Sequence, residues 1–241
     1  MRRIGLLVLV AVAALVAGGC AGADARRAEE LLQQSDQALR SLKSYRYAGR
    51  FWIESEIGDF TLVMRGGGNT RGGGGGGASF LTMRSDDLPG FSELTVVQQG
   101  RSLWIRDGGG WKRAEAPSGQ ATALERFDVG AYVKDVSVHE GAIVNGEPAT
   151  KVSGVLDTQE LFDGFLASLG TASDFGDLPF DEASKALGDT HVVIYLSEAT
   201  HLPIRTLVDL SLEAGGQKLE LHLDFALEPA KRHVPIPLPA A

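Results

Sequence analysis

The chain has 241 residues, of which 44% are apolar, and its formal net charge is −8. This composition is typical of one globular domain with short appendages and excludes a wholly disordered chain. The acidic balance argues against nucleic acid as a partner, because phosphate binding needs clustered lysine and arginine. The single cysteine excludes a disulfide framework and a cysteine-based zinc cluster, since both need several thiols.

The first twenty residues carry the pattern of an export signal. Met1, Arg2 and Arg3 form a basic start, residues 4–16 are an apolar run, and small residues directly precede Cys20. The run is shorter than the roughly 20 apolar residues that a membrane-spanning helix needs. The pattern resembles a bacterial lipoprotein signal, whose cysteine is diacylated on sulfur, for instance with palmitate, and becomes the mature N-terminus.

We therefore expect residues 1–19 to be removed and residues 20–241 to form a single domain. Acyl chains on Cys20 would hold this domain on the extracytoplasmic face of the cell membrane. An uncleaved membrane anchor and a plain secretory signal with a chance cysteine are the alternatives. Removal of Arg2 and Arg3 from the 23 basic residues leaves 21 against 31 acidic ones, so the mature chain is clearly acidic.

One amphipathic helix is predicted at the start of the mature chain, over residues 24–44. Apolar side chains recur there at helical spacing, from Ala28 and Leu31 to Leu39 and Leu42. After Tyr45 the apolar period changes to two, which predicts strands at 45–53, 60–64, 79–84, 94–99, 102–106, 111–114, 136–144, 149–156, 204–212 and 219–227. Shorter helices are predicted at 127–135, 158–169 and 181–187.

About ten strands with one apolar face and few helices predict an α+β domain built on a curved antiparallel sheet. Its concave apolar face must be covered, either by helices or by a ligand. The Gly-rich segment, residues 66–77, is predicted to be a flexible hairpin loop, because it lacks the Gly-Lys-Ser/Thr sequence of a phosphate-binding loop. The Pro-rich tail, residues 229–241, is predicted to be an extended strap or a frayed end, because proline cannot donate to a strand ladder.

No catalytic residue, metal centre or cofactor is predicted, and we expect the chain not to be an enzyme. The five histidines show no metal-ligand spacing and none accompanies a Gly-x-Ser-x-Gly sequence. The acidic group at 174–182 lacks the pattern of a calcium loop. Trp52, Trp104 and Trp111 are interpreted as core or rim aromatics rather than as platforms for bases or sugars.

Four short segments follow one another in a suggestive order. They are Cys20 with its small neighbours, the helix end at 39–44 directly before a strand, the run 144–154, and Leu202 to Arg205 before a long terminal hairpin. In this order they resemble the LppX/LprA/LprF/LprG family of actinobacterial envelope lipoproteins, within the LolA/LolB-like superfamily. The resemblance implies a half-open antiparallel barrel around helices, with an apolar cavity that carries acylated lipids between membrane layers.

The resemblance also implies the function: binding of an acylated lipid or glycolipid, and its transport or presentation in the cell envelope, with an unidentified envelope transporter as a possible partner. The inward-facing residues that would line the cavity are Phe51, Ile53, Phe60, Leu62, Val193, Val208, Leu210, Leu221, Leu223 and Phe225. A core filled by these same side chains is the alternative to a cavity. A protein-interaction or regulatory module of the same fold is the alternative function, because related half-barrels bind unstructured segments of a partner.

Overall fold

The structure, a computed structural model, describes residues 21–55, 58–70, 77–87, 92–100, 102–115, 133–157, 187–214 and 217–238. Within these residues it has one helix, α1 (Ala21–Ser41), and eleven strands. The strands are β1 (Ser44–Ser55), β2 (Phe60–Asn69), β3 (Ala78–Arg84), β4 (Glu93–Gln99), β5 (Ser102–Arg106), β6 (Trp111–Glu115), β7 (Val133–Val144), β8 (Glu147–Leu156), β9 (Leu187–Ser197), β10 (Pro203–Ala214) and β11 (Gln217–Pro229).

All eleven strands belong to one antiparallel sheet, in the order β6-β5-β4-β3-β2-β1-β11-β10-β9-β8-β7. Two meanders, β1 to β6 and β7 to β11, are therefore joined by the pairing of the first strand with the last. The sheet is open, with β6 and β7 at its edges, and it curves into a half-barrel with α1 against one face. The predicted α+β half-barrel is confirmed.

Helix α1 packs its predicted apolar stripe onto the sheet. Ala28, Leu31 and Ser35, which share one side of the helix, are all buried. The helix ends at Ser41 rather than at 44, because Ser44 already belongs to β1. No helix in the described ranges combines the length and the apolar character needed to cross a membrane. The face of the sheet that α1 contacts is called the inner face, and its core residues beneath α1 are Val152, Leu156, Val192, Ile194 and Leu196.

The helix runs across the strands near one end of the sheet. Near its start, Arg27 Nη2 lies 3.9 Å from Glu140 Oε1 on β7. At its other end, the amide of Thr70, directly after β2, donates to the carbonyl oxygen of Lys43 at 2.9 Å. The turns at 145–146 and 198–202 lie at this same end of the strands. We call it the helix end of the sheet.

The sequence pattern does not predict strand β9. Two of the predicted helices are wrong at the residues where the structure has a strand instead. The prediction at 181–187 overlaps β9 at Leu187, and the prediction at 127–135 overlaps β7 at 133–135. The rest of both segments, and 158–169, lie outside the described residues. Strand β9 escapes the period of two because it places apolar side chains on both faces, with Val193 and Tyr195 alternating with buried Val192 and Ile194.

The loop prediction for residues 66–77 is wrong at its start, because β2 continues through Gly66, Gly67 and Gly68 to Asn69. Tyr47 lies opposite Gly66, and Tyr45 lies opposite Gly68. A Cβ atom on Gly68 would lie 2.6 Å from the Tyr45 hydroxyl, and one on Gly66 would overlap the Tyr47 ring. The absence of a side chain on these glycines leaves space for two buried tyrosine rings, which pack over the glycine backbone. Residues 71–76 lie outside the described residues.

The tail after β11 is a strap fixed at two points. The amide of Ala230 donates to the carbonyl oxygen of Ser44 at 2.9 Å. Further on, Asn69 Oδ1 accepts a hydrogen bond from the Val234 amide at 2.8 Å, and Asn69 Nδ2 donates one to the Val234 carbonyl oxygen at 2.7 Å. The strap lies on the outer face, where the Val234 side chain would contact a Cβ on Gly67. Residues 239–241 lie outside the described residues.

Replacement of Gly66 by alanine tests the packing of tyrosine on β2. The new methyl group would overlap the Tyr47 ring and the Phe80 carbonyl oxygen. We expect Gly66→Ala to lower the free energy of unfolding by about 3 kcal/mol, because this overpacking forces a backbone shift. Gly110→Ala is the matched control, since nothing lies within 4 Å of its Cβ, and it should change stability by less than about 0.5 kcal/mol. Equal urea denaturation midpoints for the two variants would contradict the account.

Candidate functional site

The inner face of β2, β1, β11 and β10 is apolar across all four strands. In one row, Phe51 lies opposite Leu62 and Leu223, and Leu223 lies opposite Val208. The neighbouring row is built in the same way from Ile53. Strand register thus brings together nine of the ten predicted residues, here called the apolar strip: Phe51, Ile53, Phe60, Leu62, Val208, Leu210, Leu221, Leu223 and Phe225.

Side chains of the apolar strip remain partly exposed, unlike the buried core beneath α1, which the strip borders at Val208. Each of the nine is half-buried, whereas Val192 and Leu196 under the helix are each 1% exposed. The Phe51 and Phe60 rings lie 6.3 Å apart and tilted by 59°, in loose contact. The inner face therefore has a packed part and an apolar part that still offers surface to another molecule.

Val193 is the predicted residue that the structure places elsewhere. It lies opposite Leu207 on β10 and Ser153 on β8, on the outer face. Its neighbours Val192 and Ile194 point inward instead, into the core beneath α1. Because successive side chains of a strand point to opposite faces of the sheet, an error of one residue in the predicted alternation assigns a side chain to the wrong face. The expectation that Val193 lines the inner face does not hold.

Two polar groups adjoin the apolar strip. At the helix end, the Tyr47 ring lies 5.3 Å from the Phe225 ring, and its hydroxyl donates to the Phe80 carbonyl oxygen at 2.8 Å. Burial, together with the neighbouring Tyr45, raises the pKa of Tyr47, so the phenol stays neutral. On β9, the Thr190 side chain is 2% exposed and lies opposite Leu210, and its hydroxyl has no hydrogen-bond partner within the described part of the chain.

The outer face of the same strands carries ionised and aromatic side chains. The His222 ring stacks on Trp52 at 4.9 Å, and its Nδ1 lies 2.6 Å from Asp209 Oδ1. Donor atoms of Glu54, Glu220 and His222 lie within 4.8 Å of one another. Three ligands are one fewer than a structural zinc site uses, and Asp209 already accounts for the orientation of His222. We interpret this group as an outer-face polar ladder.

Two cavities lined by described residues lie away from the apolar strip. One of about 260 Å³ lies beside Arg27 and His201 at the edge of α1. Another of about 620 Å³ lies on the outer face, between Arg65 and Glu93. Both are lined largely by charged and polar side chains, so neither suits an apolar ligand. Cys20, the predicted lipidation site, lies directly before α1 and outside the described residues.

A pair of adjacent substitutions tests the assignment of faces on β9. Val192→Asp places a carboxylate in the core beneath α1 and should lower the free energy of unfolding by more than about 3 kcal/mol. Val193→Asp places the same group on the half-buried outer face and should cost about 1 kcal/mol. Chemical denaturation of both variants measures the difference. A larger loss for Val193→Asp would mean that the register of β9 is wrong.

Comparisons with known proteins bear on the fold alone. No protein-family model and no curated protein sequence matches this chain. The crystal structure of LprF from Mycobacterium bovis is 15% identical with a TM-score of 0.56, and the match covers 90% of this chain and 98% of LprF. The lipoprotein LppX from Mycobacterium tuberculosis is 15% identical with a TM-score of 0.46, covering 81% of this chain and 93% of LppX. This chain therefore has the fold of the LprF crystal structure.

Proposed function

We propose that this chain is a membrane-anchored lipoprotein that binds an acylated lipid or glycolipid on the inner face of its half-barrel and carries or presents it in the cell envelope. The observation that carries the proposal is the apolar strip, in which four strands expose part of a continuous hydrocarbon surface on the concave side. Surfaces of this kind in a soluble domain mark a site for an apolar partner.

The dimensions of the apolar strip suit an acyl chain. From Ile53 in the apolar strip to the adjoining Tyr47, the inner face of β1 spans six residue steps, about 20 Å at roughly 3.3 Å per residue. One leaflet of a bilayer provides about 15 Å for the hydrocarbon chain of a lipid. An acyl chain can therefore lie along the strand direction over its whole length.

Energetics explain why a carrier is needed and why it can release its cargo. Transfer of a 16-carbon chain from water to an apolar surface gains about 12 kcal/mol, at about 0.8 kcal/mol per methylene. Free diffusion of such a lipid through water is negligible. Transfer from a membrane to the apolar strip exchanges one hydrocarbon environment for another and is nearly isoenergetic, so loading and unloading both remain accessible.

A charged substitution on the inner face tests lipid binding. Leu221→Arg places an unpaired ion in the apolar strip and should abolish binding, since a buried charge without a partner costs several kcal/mol. Leu207→Arg is the control, because position 207 lies on the outer face opposite Asp224. We expect organic extracts of the purified wild-type chain and of Leu207→Arg to contain acylated lipid by mass spectrometry. The extract of Leu221→Arg should not.

Both variants must first be shown to be folded by circular dichroism, and Val208→Asp provides a second inner-face substitution if Leu221→Arg is not. Equal lipid contents in Leu221→Arg and Leu207→Arg would place the lipid elsewhere. An empty wild-type chain that also extracts no lipid from vesicles would overturn the proposal. The protein-interaction function would then take its place.

Substitution of Cys20 tests the anchor. In the wild-type chain, produced in a bacterial host, we expect incorporation of labelled palmitate and partitioning into the detergent phase. Cys20→Ser lacks the thiol that would be acylated and should incorporate no label, remaining as an uncleaved precursor or leaving the membrane after ordinary cleavage. Unchanged labelling and partitioning of Cys20→Ser would show that the chain is held in another way.

A further inference from the structure

Exposed basic side chains gather at the helix end of the sheet, although the chain as a whole is acidic. Lys231, Arg232 and His233 are consecutive and exposed at the start of the strap. Lys43 and Arg46 are exposed on the adjoining segment that leads from α1 into β1. These five residues are called the basic strip. Within the described part of the chain, none of its lysines and arginines forms an ion pair.

The structure holds the basic strip in a fixed position. Hydrogen bonds of Ala230 with Ser44 and of Val234 with Asn69 fix the strap on both sides of the three consecutive basic residues. Pro229 lies opposite Tyr45, which brings the strap next to Arg46 on β1. A preorganised set of cations loses little conformational entropy when it binds an anionic surface.

Acidic side chains of the strands at this end lie mainly on the other side of the sheet, and Asp36 on α1 is paired with Arg40. Glu140, Glu147 and Glu198 belong to β7, β8 and the turn after β9, several strands away from the basic strip. Glu228 lies opposite Arg46 and is the acidic residue that adjoins the strip in register. The strip is therefore a net positive surface in a chain whose mature form carries ten more acidic than basic residues, 31 against 21.

The basic strip and the start of α1 lie at the same end of the sheet. Because α1 crosses the strands, its 21 residues, about 30 Å in length, separate the two at opposite sides of that end. Cys20 directly precedes the helix. In the same region, Ile143 near the end of β7 is 74% exposed. An acyl anchor, an exposed apolar side chain and a cationic strip would thus face the same way.

We propose that the helix end of the sheet docks on the membrane surface, with the basic strip in contact with the headgroups of anionic phospholipids. The inference goes beyond lipid binding and rests on the proposed function only for the acylation of Cys20. With the anchor at one end of α1 and the strip at the other, the helix axis lies parallel to the membrane. Tyr47 and the adjacent end of the apolar strip then face the bilayer.

Vesicle cosedimentation of the processed chain, residues 20–241 with Cys20→Ser, tests the electrostatic contact without the anchor. Vesicles of phosphatidylcholine alone are compared with vesicles that contain phosphatidylglycerol, at millimolar lipid and low salt. We expect preferential binding to the anionic vesicles, lost in 0.5 M NaCl because salt screens the contact. Substituting Lys43, Lys231 and Arg232 by glutamine should weaken binding by about fivefold per charge, on the order of 100-fold in total.

Two matched variants separate this contact from net charge and from folding. Lys43→Arg with Lys231→Arg and Arg232→Lys keeps every charge and should bind as the wild type does. Arg50→Gln with Arg65→Gln and Lys112→Gln removes three charges outside the strip and should lose less than threefold. Circular dichroism checks that each variant is folded.

Equal wild-type binding to both vesicle types, or an equal loss in the two glutamine variants, would overturn the docking proposal. The lipid content of each preparation, measured by mass spectrometry, keeps the two proposals apart. A chain that carries lipid and shows no preference for anionic vesicles retains the proposed function and lacks the docking surface. A chain that binds anionic vesicles and carries no lipid has the docking surface and lacks the proposed function.

Discussion

The structure depends on the antiparallel pairing of β1 with β11. Eleven residue pairs, from Tyr45 opposite Pro229 to Ser55 opposite Leu219, join the two meanders into one sheet. Without this pairing, β1 and β11 would each be an edge strand with unpaired backbone groups. The register also fixes which side chains share a face, because a slip of one residue would turn every apolar side chain of β11 outward. The apolar strip exists only in the observed register.

This pairing explains how one chain holds a packed core and an apolar surface on the same face. In the meander from β7 to β11, α1 covers β8 and β9, and the inner residues of these two strands are almost fully buried. Near the junction of the meanders, residues such as Phe51 and Leu223 keep part of their surface exposed. Tyr45 and Tyr47, lying over the glycines of β2, close the junction at the helix end. A lipid on the apolar strip would be bounded by the helix-covered core on one side and by tyrosines at one end.

The sequence is sufficient to predict the helices and strands in which apolar residues recur with one regular period. Helix α1 and strands β10 and β11 follow from their regular apolar spacing, and nine of the ten inner-face residues follow from alternation along strands. It failed where long-range packing decides. In β9, apolar side chains on both faces hide the alternation, so the sequence pattern predicts the wrong face for Val193. In β2, only the tyrosines of a neighbouring strand show that Gly66 to Gly68 belong to the sheet.

The basic strip illustrates the same limit. Lys43 and Lys231 are far apart in the sequence, and nothing in the spacing of either segment brings them together. The Asn69 side chain and the β1–β11 register do so. A sequence can therefore reveal the apolar surface of one strand, whereas the assembly of surfaces from both chain ends requires the fold.

Photocrosslinking can locate a lipid acyl chain on the apolar strip. A phospholipid that carries a diazirine in its acyl chain is bound to the wild-type chain and irradiated, and the adducts are mapped by peptide mass spectrometry. We expect adducts on inner-face residues of β1, β2, β10 and β11, such as Phe51, Leu62, Val208 and Leu223. Adducts confined to the outer face, or their absence from these four strands, would contradict this expectation.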